Sequence, residues 1–273
     1  MPYVDRMGFL NMEPWLEFLD LMAAHYKGLG VNYEIEKEID RPGYWPYKKQ
    51  EYLDFAKACY KTIKKNDPQA KVISSAVGCG ILLDLKTDDQ RDKEHRRHND
   101  WLGPILANKA FDVVSVHDYY FPSEITANGL TFAGYLEGVR KVMKEVGVED
   151  RPLWITETGF VSAPTSTLSL PTPSTPSTAS TASTPSSLTS TSSASSPTGA
   201  GGRIDEGSPE KQANWLKEGV AQAFEGGAEK IFWRRLSDGK EPYFGTMGLT
   251  DEKGNPRPAW NEFQRLVKER DKQ

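Results

Sequence analysis

The chain has 273 residues, room for one large domain or two small ones, and 26% of them are charged. A net charge of −4 and a pI of about 5.7 exclude a strongly basic nucleic-acid binder, because phosphate contacts require a cationic surface. No apolar run is long enough to span a membrane, and two cysteines, Cys59 and Cys79, are too few for a disulfide scaffold and read as small buried hydrophobes.

Helical periods alternate with short β-branched runs along the chain. Trp15, Phe18 and Leu19, Met22 and Tyr26 are spaced for one helical face, and Gly28 follows as a stop signal. A strand is expected over 31–36. Tyr52, Phe55, Ala56, Cys59 and Ile63 mark a second helix, which leads into a strand over 71–77. A third helix around Trp101, Leu102, Ile105 and Leu106 precedes a strand over 111–117. The stripe Phe132, Tyr135, Leu136, Val139 and Met143 then precedes a strand over 153–157. Ser208-Pro209-Glu210 is a helix start, with a cap residue, proline at the first position and an acid in the first turn. That helix carries Trp215, Leu216, Val220 and Phe224 on its apolar face. Residues 230–233 form the fifth strand, and Trp260, Phe263 and Val267 belong to a closing helix.

One segment breaks the pattern. Residues 162–202 contain 14 Ser, 10 Thr and 6 Pro among 41 positions, with no charged or aromatic residue. Such a tract cannot bury enough apolar surface to offset its ordering entropy, so it reads as a disordered insertion. The folding chain is then 1–161 plus 203–273, one domain whose hydrophobic share is enough for a sizeable core.

Six helices alternating with five strands predict an α/β fold with a parallel sheet. A doubly wound sheet and a (β/α)8 barrel both fit the alternation. No phosphate-binding glycine fingerprint follows any strand, which weakens the doubly wound option.

Reacting groups in such folds gather at the carboxyl ends of strands. There the sequence places Glu34, Glu36 and Glu38, then His117 and Tyr119, then Glu157, and finally Trp233 and Arg234. Two strand-end glutamates beside aromatic rings suit glycoside hydrolysis, in which one carboxyl protonates the leaving oxygen and another attacks the anomeric carbon or activates water. A single strand-end glutamate is more often solvated or salt-bridged; the pairing is what raises the catalytic reading.

The segment Tyr33-Glu34-Ile35-Glu36-Lys37-Glu38-Ile39-Asp40, with Trp45-Pro46 beyond it, resembles strand four of the clan A glycoside hydrolases. In those (β/α)8 barrels a Trp-Glu-Ile-x-Asn-Glu-Pro stretch carries the acid/base glutamate, which Glu38 matches. Residues 111–117 resemble strand six. Trp154-Ile155-Thr156-Glu157-Thr158-Gly159-Phe160 is similar to strand seven, whose nucleophile Glu157 matches, and Lys230-Ile231-Phe232-Trp233 is similar to strand eight. The resemblance implies a retaining O-glycosyl hydrolase acting on a β-linked glycan or glycoside without a cofactor or metal. It implies Glu38 and Glu157 as catalytic residues and Lys37, His117, Tyr119 and Trp233 against the sugar. Trp233 fits barrel packing equally well, and Trp15, Trp215 and Trp260 read as core.

Two departures stand out. Lys37 and Ile39 occupy the positions of the clan's asparagine and proline. Lysine donates but cannot accept, and its charge favours an ionised Glu38, which must be protonated to act as an acid. Weak activity is the expectation, and a catalytically inactive barrel remnant that binds carbohydrate is the alternative. The second departure is architectural. If 31–36 is strand four, strands one to three are missing, and a missing N-terminal barrel segment or a second chain is the expected partner alongside the carbohydrate. The first six residues lack a basic segment followed by an apolar run, so no signal peptide is visible, whereas the Ser/Thr/Pro tract favours an extracellular setting. The charged run 90–98, with His95 and His98 but no cysteine, reads as a solvated loop and helix start.

Overall fold

The computed structural model describes residues 11–41, 44–78, 100–119, 132–163, 207–240 and 245–270. Cys79, the charged run 90–98 and the Ser/Thr/Pro tract from residue 164 onward lie outside them. The helices are α1 (Glu13–His25), α2 (Lys49–Asn66), α3 (100–107), α4 (Phe132–Glu145), α5 (Pro209–Glu225) and α6 (Pro258–Arg270). The strands are β1 (Tyr33–Glu34), β2 (Val72–Ile73), β3 (Val77–Gly78), β4 (Val114–Asp118), β5 (Leu153–Thr158) and β6 (Lys230–Trp233).

Among the described residues the strands pair in parallel, β1 with β2 and then β3-β4-β5-β6 in that order. Two bridges, Lys37 with Ala76 and Ile73 with Val113, join the two groups. Five segments therefore run side by side in strict chain order. Among the described residues the order has no reversal and so no topological switch point, which fits the winding of a barrel and not of a doubly wound sheet.

The helices cover one face of this sheet. On α2 the residues Tyr52, Phe55, Ala56, Cys59 and Ile63 recur at helical spacing and are buried. They pack into one core with Val72, Val114, Leu136, Met143 and Leu153. Cys59 is a free, buried thiol that accepts a hydrogen bond from Trp15 Nε1 at 3.3 Å; burial pushes its pKa up to about 12, which keeps it inert. The start of α5 is as expected, with Ser208 Oγ accepting from Lys211 N at 3.1 Å. The other face carries a separate small cluster, Ile73, Val113 and Trp154, with Phe232 6.0 Å from the Trp154 ring and 45% exposed. No helix of the described residues is long and apolar enough to cross a membrane.

Three details differ from the sequence expectation. The strand expected over 31–36 is reduced to Tyr33–Glu34 because Glu36 and Glu38 adopt left-handed backbone, with φ of 60° and 48°, which interrupts extended structure. The strand expected over 71–77 is divided into β2 and β3, with Ser74 and Ser75 between them. On α1 only Leu19 and Ala23 are buried, while Phe18 is exposed; the helix packs on α2, and β1 has no strand on its other edge among the described residues.

Ala163 and Gly207, the described residues on either side of the tract, stand close together. A Cβ at Gly207 would lie 2.8 Å from Val161 O and 2.9 Å from Ala163 O, so only glycine fits and the two ends touch. Ser162, counted with the tract by composition, is buried and binds Thr246 O through both its N and its Oγ, each at 2.8 Å.

Candidate active site

The site grows from two local irregularities. After β1 the chain turns through left-handed Glu36 and Glu38, a conformation that costs non-glycine residues about 1–2 kcal/mol. It is held by Glu38 N donating to Ala76 O at 2.7 Å. Gly78, at the end of β3, leaves room for the side chains of Glu38 and Arg41. A Cβ there would meet Arg41 Nε at 2.7 Å and the Glu38 carboxyl carbon at 3.1 Å.

The second irregularity lies in β4 and β5, whose register shifts between Val116 and His117, so that His117 stands opposite Glu157. Strict alternation would send Thr156 and Glu157 to opposite faces. With the shift, neither is sealed into the helix-covered core. Thr156 Oγ1 donates to Glu34 at 2.9 Å, and Glu157 turns to the side chains around Glu38. Irregular pairing of this kind re-aims side chains beside active sites.

Glu38 is buried at 9% exposure. His117 Nδ1 stands 3.0 Å from its Oε1 and Arg41 Nε 3.1 Å from its Oε2. Burial pushes the Glu38 carboxyl up, but the His117 hydrogen bond and the charges of Arg41, His117 and Lys37 together bring it below the ordinary value. Glu157 Oε1 accepts hydrogen bonds from Tyr119 OH and from Arg234, whose Nη1 also donates to Tyr119 OH at 2.9 Å. Its Oε2 faces Lys37 Nζ at 3.4 Å. Here too burial raises the carboxyl, and the Tyr119 hydroxyl with the His117, Arg234 and Lys37 charges outweighs it, leaving Glu157 lowered. Burial and the neighbouring Glu157 charge push Tyr119 up, so it stays a neutral donor.

One carboxylate oxygen of Glu38, one of Glu157 and a His117 ring nitrogen all lie within 4.8 Å of one another. These three groups could ligate a cation. Arg41, Arg234 and Lys37 already pair with the same two carboxylates, so a metal would compete with three positive charges. The donor set suits proton transfer and nucleophilic attack better.

Five of the six residues singled out from sequence therefore converge: Glu38, Glu157, Lys37, His117 and Tyr119. Trp233 does not join them. Its indole nitrogen donates to Met247 O at 2.8 Å, and its ring meets Trp215 of α5 edge-on at 5.6 Å, which puts it between sheet and helix. Sequence reasoning missed Arg41 and left Arg234 without a role. Arg234 follows a strand end, a usable signal, whereas Arg41 reaches Glu38 only because Gly78 leaves space. Glu34, whose Oε1 accepts from Ser115 Oγ at 2.9 Å as well as from Thr156, is a third carboxylate nearby.

No family model matches this sequence, and no curated protein does. Solved structures do. A family 39 glycoside hydrolase from Bacteroides cellulosilyticus WH2 superposes with a TM-score of 0.57 at 16% identity, over 94% of this chain and 45% of that one. This chain shares its fold with glycoside hydrolases. A glucosidase from Croceicoccus marinus gives 0.56 at 14% identity, over 93% of this chain and 45% of the other. The hyperthermophilic beta-glucosidase from Pyrococcus furiosus gives 0.56 at 14% identity, over 95% and 58%. The chain spans about half the length of the solved structures it matches.

Proposed function

We propose that the site is that of a retaining β-glycosidase, with Glu157 as nucleophile and Glu38 as acid/base. The observation that carries this reading is the separation of the carboxylates. One oxygen of each carboxylate lies within 4.8 Å of the other, which supports the closer pair of a retaining site over the roughly 6.5–9.5 Å separation that an inverting one keeps for its water. Glu157, kept ionised by Tyr119 and Arg234, attacks the anomeric carbon while Glu38 gives its proton to the departing oxygen. The bond from carbon to that oxygen breaks and a glycosyl ester forms on Glu157. Glu38, now a base, takes a proton from water, which attacks the same carbon and frees Glu157.

In the same reading β1, β2 with β3, β4, β5 and β6 are strands four to eight of a (β/α)8 barrel. An N-terminal barrel segment or a second chain supplies strands one to three, and residues 164–202 are an insertion beside the nucleophile. Proton NMR of the first product tests the chemistry. A β-glycoside should release the β-anomer first, and the α-anomer would sink the retaining mechanism. The lowered Glu38 pKa and Lys37 favour a second reading, a carbohydrate-binding remnant without turnover, which predicts binding of sugars and no product.

A further inference from the structure

We propose that this site takes a glycoside whose ring carries a negative charge, a carboxylate or a sulfate ester, and that Lys37 is the side chain that receives it. The inference rests on the glycosidase reading and adds a substrate class to it. Its starting point is the balance of charge. Lys37, Arg41 and Arg234 are the three cations paired with Glu38 and Glu157, and Glu34 nearby makes the count even. In the state that reacts, Glu38 holds a proton, so the three cations face Glu157 and Glu34 and one positive charge is in excess. A neutral sugar gains nothing from it, whereas an anionic one is attracted.

The cations are not equivalent. Arg41 and Arg234 have side chains 20% exposed and are committed to Glu38 and to the Glu157–Tyr119 pair. Lys37 is 47% exposed, and its contact with Glu157 is a single one at 3.4 Å. It is the cation at the mouth of the site. Its ammonium stands 5.9 Å over the ring of the exposed Tyr44, which keeps it at the rim. An ammonium has three donors and no acceptor, so Lys37 can hold Glu157 and an incoming anion together, but it cannot give a sugar hydroxyl the acceptor that an amide would.

The chemistry obeys the same logic. Lys37 favours the ionised form of Glu38, which opposes its action as an acid. An anion bound to Lys37 offsets that charge, the smallest of those that lower Glu38, and moves the carboxyl part of the way back toward the protonated form. A neutral glycoside leaves the charge uncompensated and is cleaved poorly.

The test compares kcat/KM for 4-nitrophenyl β-D-glucuronide, a sulfate monoester of 4-nitrophenyl β-D-glucoside, and the unmodified glucoside. Expected for the full chain is a preference of about tenfold or more for one anionic substrate, which also separates carboxylate from sulfate. Lys37→Met should erase the preference and Lys37→Arg should retain it in part. Equal or better cleavage of the neutral glucoside, or an unchanged ratio in Lys37→Met, overturns the inference while leaving the glycosidase reading intact. If no glycoside is cleaved, that reading fails instead. Calorimetric titration with D-glucuronate, glucose 6-sulfate and D-glucose then decides whether the site prefers an anion. Tighter binding of an anionic sugar that is lost in Lys37→Met supports the preference, and no such difference overturns it.

Discussion

Lys37 touches Glu157 and acts on Glu38, two groups that the proposed retaining mechanism needs in opposite protonation states. Its effect on both has one sign, since a positive charge favours each carboxylate. In a retaining site the rate falls on the acidic side as the nucleophile is protonated and on the alkaline side as the acid ionises. With Glu38 lowered, the alkaline limb of kcat/KM should lie below the ordinary glutamate range, giving an acidic optimum. Removing the lysine charge raises both carboxyl pKa values, so Lys37→Asn should move both limbs to higher pH and raise the rate on a neutral aryl glycoside near pH 6. A pH–rate profile of the two proteins checks this; superimposable profiles would remove Lys37 from the electrostatics. Arg41 and His117 act on Glu38, and Arg234 and Tyr119 on Glu157, so the lowered values persist in part without the lysine.

Elements place these groups, and not all of them are equally legible in sequence. The segments that form β4, β5 and β6 announce themselves because buried parallel strands are short apolar runs. Glu157, His117 and Tyr119 are found at their ends. Strand β1 is shorter than its sequence suggests, since the left-handed turns at Glu36 and Glu38 use residues with no special preference for that backbone. Tertiary contacts impose them, through the pairing of residues 37 and 38 with Ala76. The same reason hides Arg41, whose approach depends on a glycine 37 positions later in the chain. Trp233 is ambiguous by sequence because a strand-end aromatic can face either layer, and the partner that turns it outward, Trp215, belongs to a distant helix. Gly78→Ala tests the β3 contribution. The added methyl meets Arg41 and Glu38, so Arg41 must withdraw. Glu38 then loses a charge that favours its ionised form, so the alkaline limb of the pH–rate profile should move to higher pH. Unchanged kinetics would show that Arg41 does not matter to Glu38.

At the scale of the whole molecule, five parallel strand segments in chain order carry the site, and Ala163 and Gly207, 44 positions apart in the chain, touch. Loop closure has an entropic cost that grows with the logarithm of length. Replacing residues 164–206 by about five Gly/Ser residues should therefore stabilise the fold by up to about 2 kcal/mol, read as a higher midpoint of chemical denaturation. A large loss of stability would mean that the segment packs on the domain. Everything else depends on one covalent step at one carboxylate. Incubation with an activated 2-deoxy-2-fluoro-β-glycoside, in neutral and uronate forms, followed by peptide mass spectrometry measures that step directly. The expected result is a single fluoroglycosyl ester on the peptide containing Glu157, absent from Glu157→Gln. A label on another residue, or turnover of the parent glycoside in Glu157→Gln at the native rate, would contradict a nucleophilic Glu157.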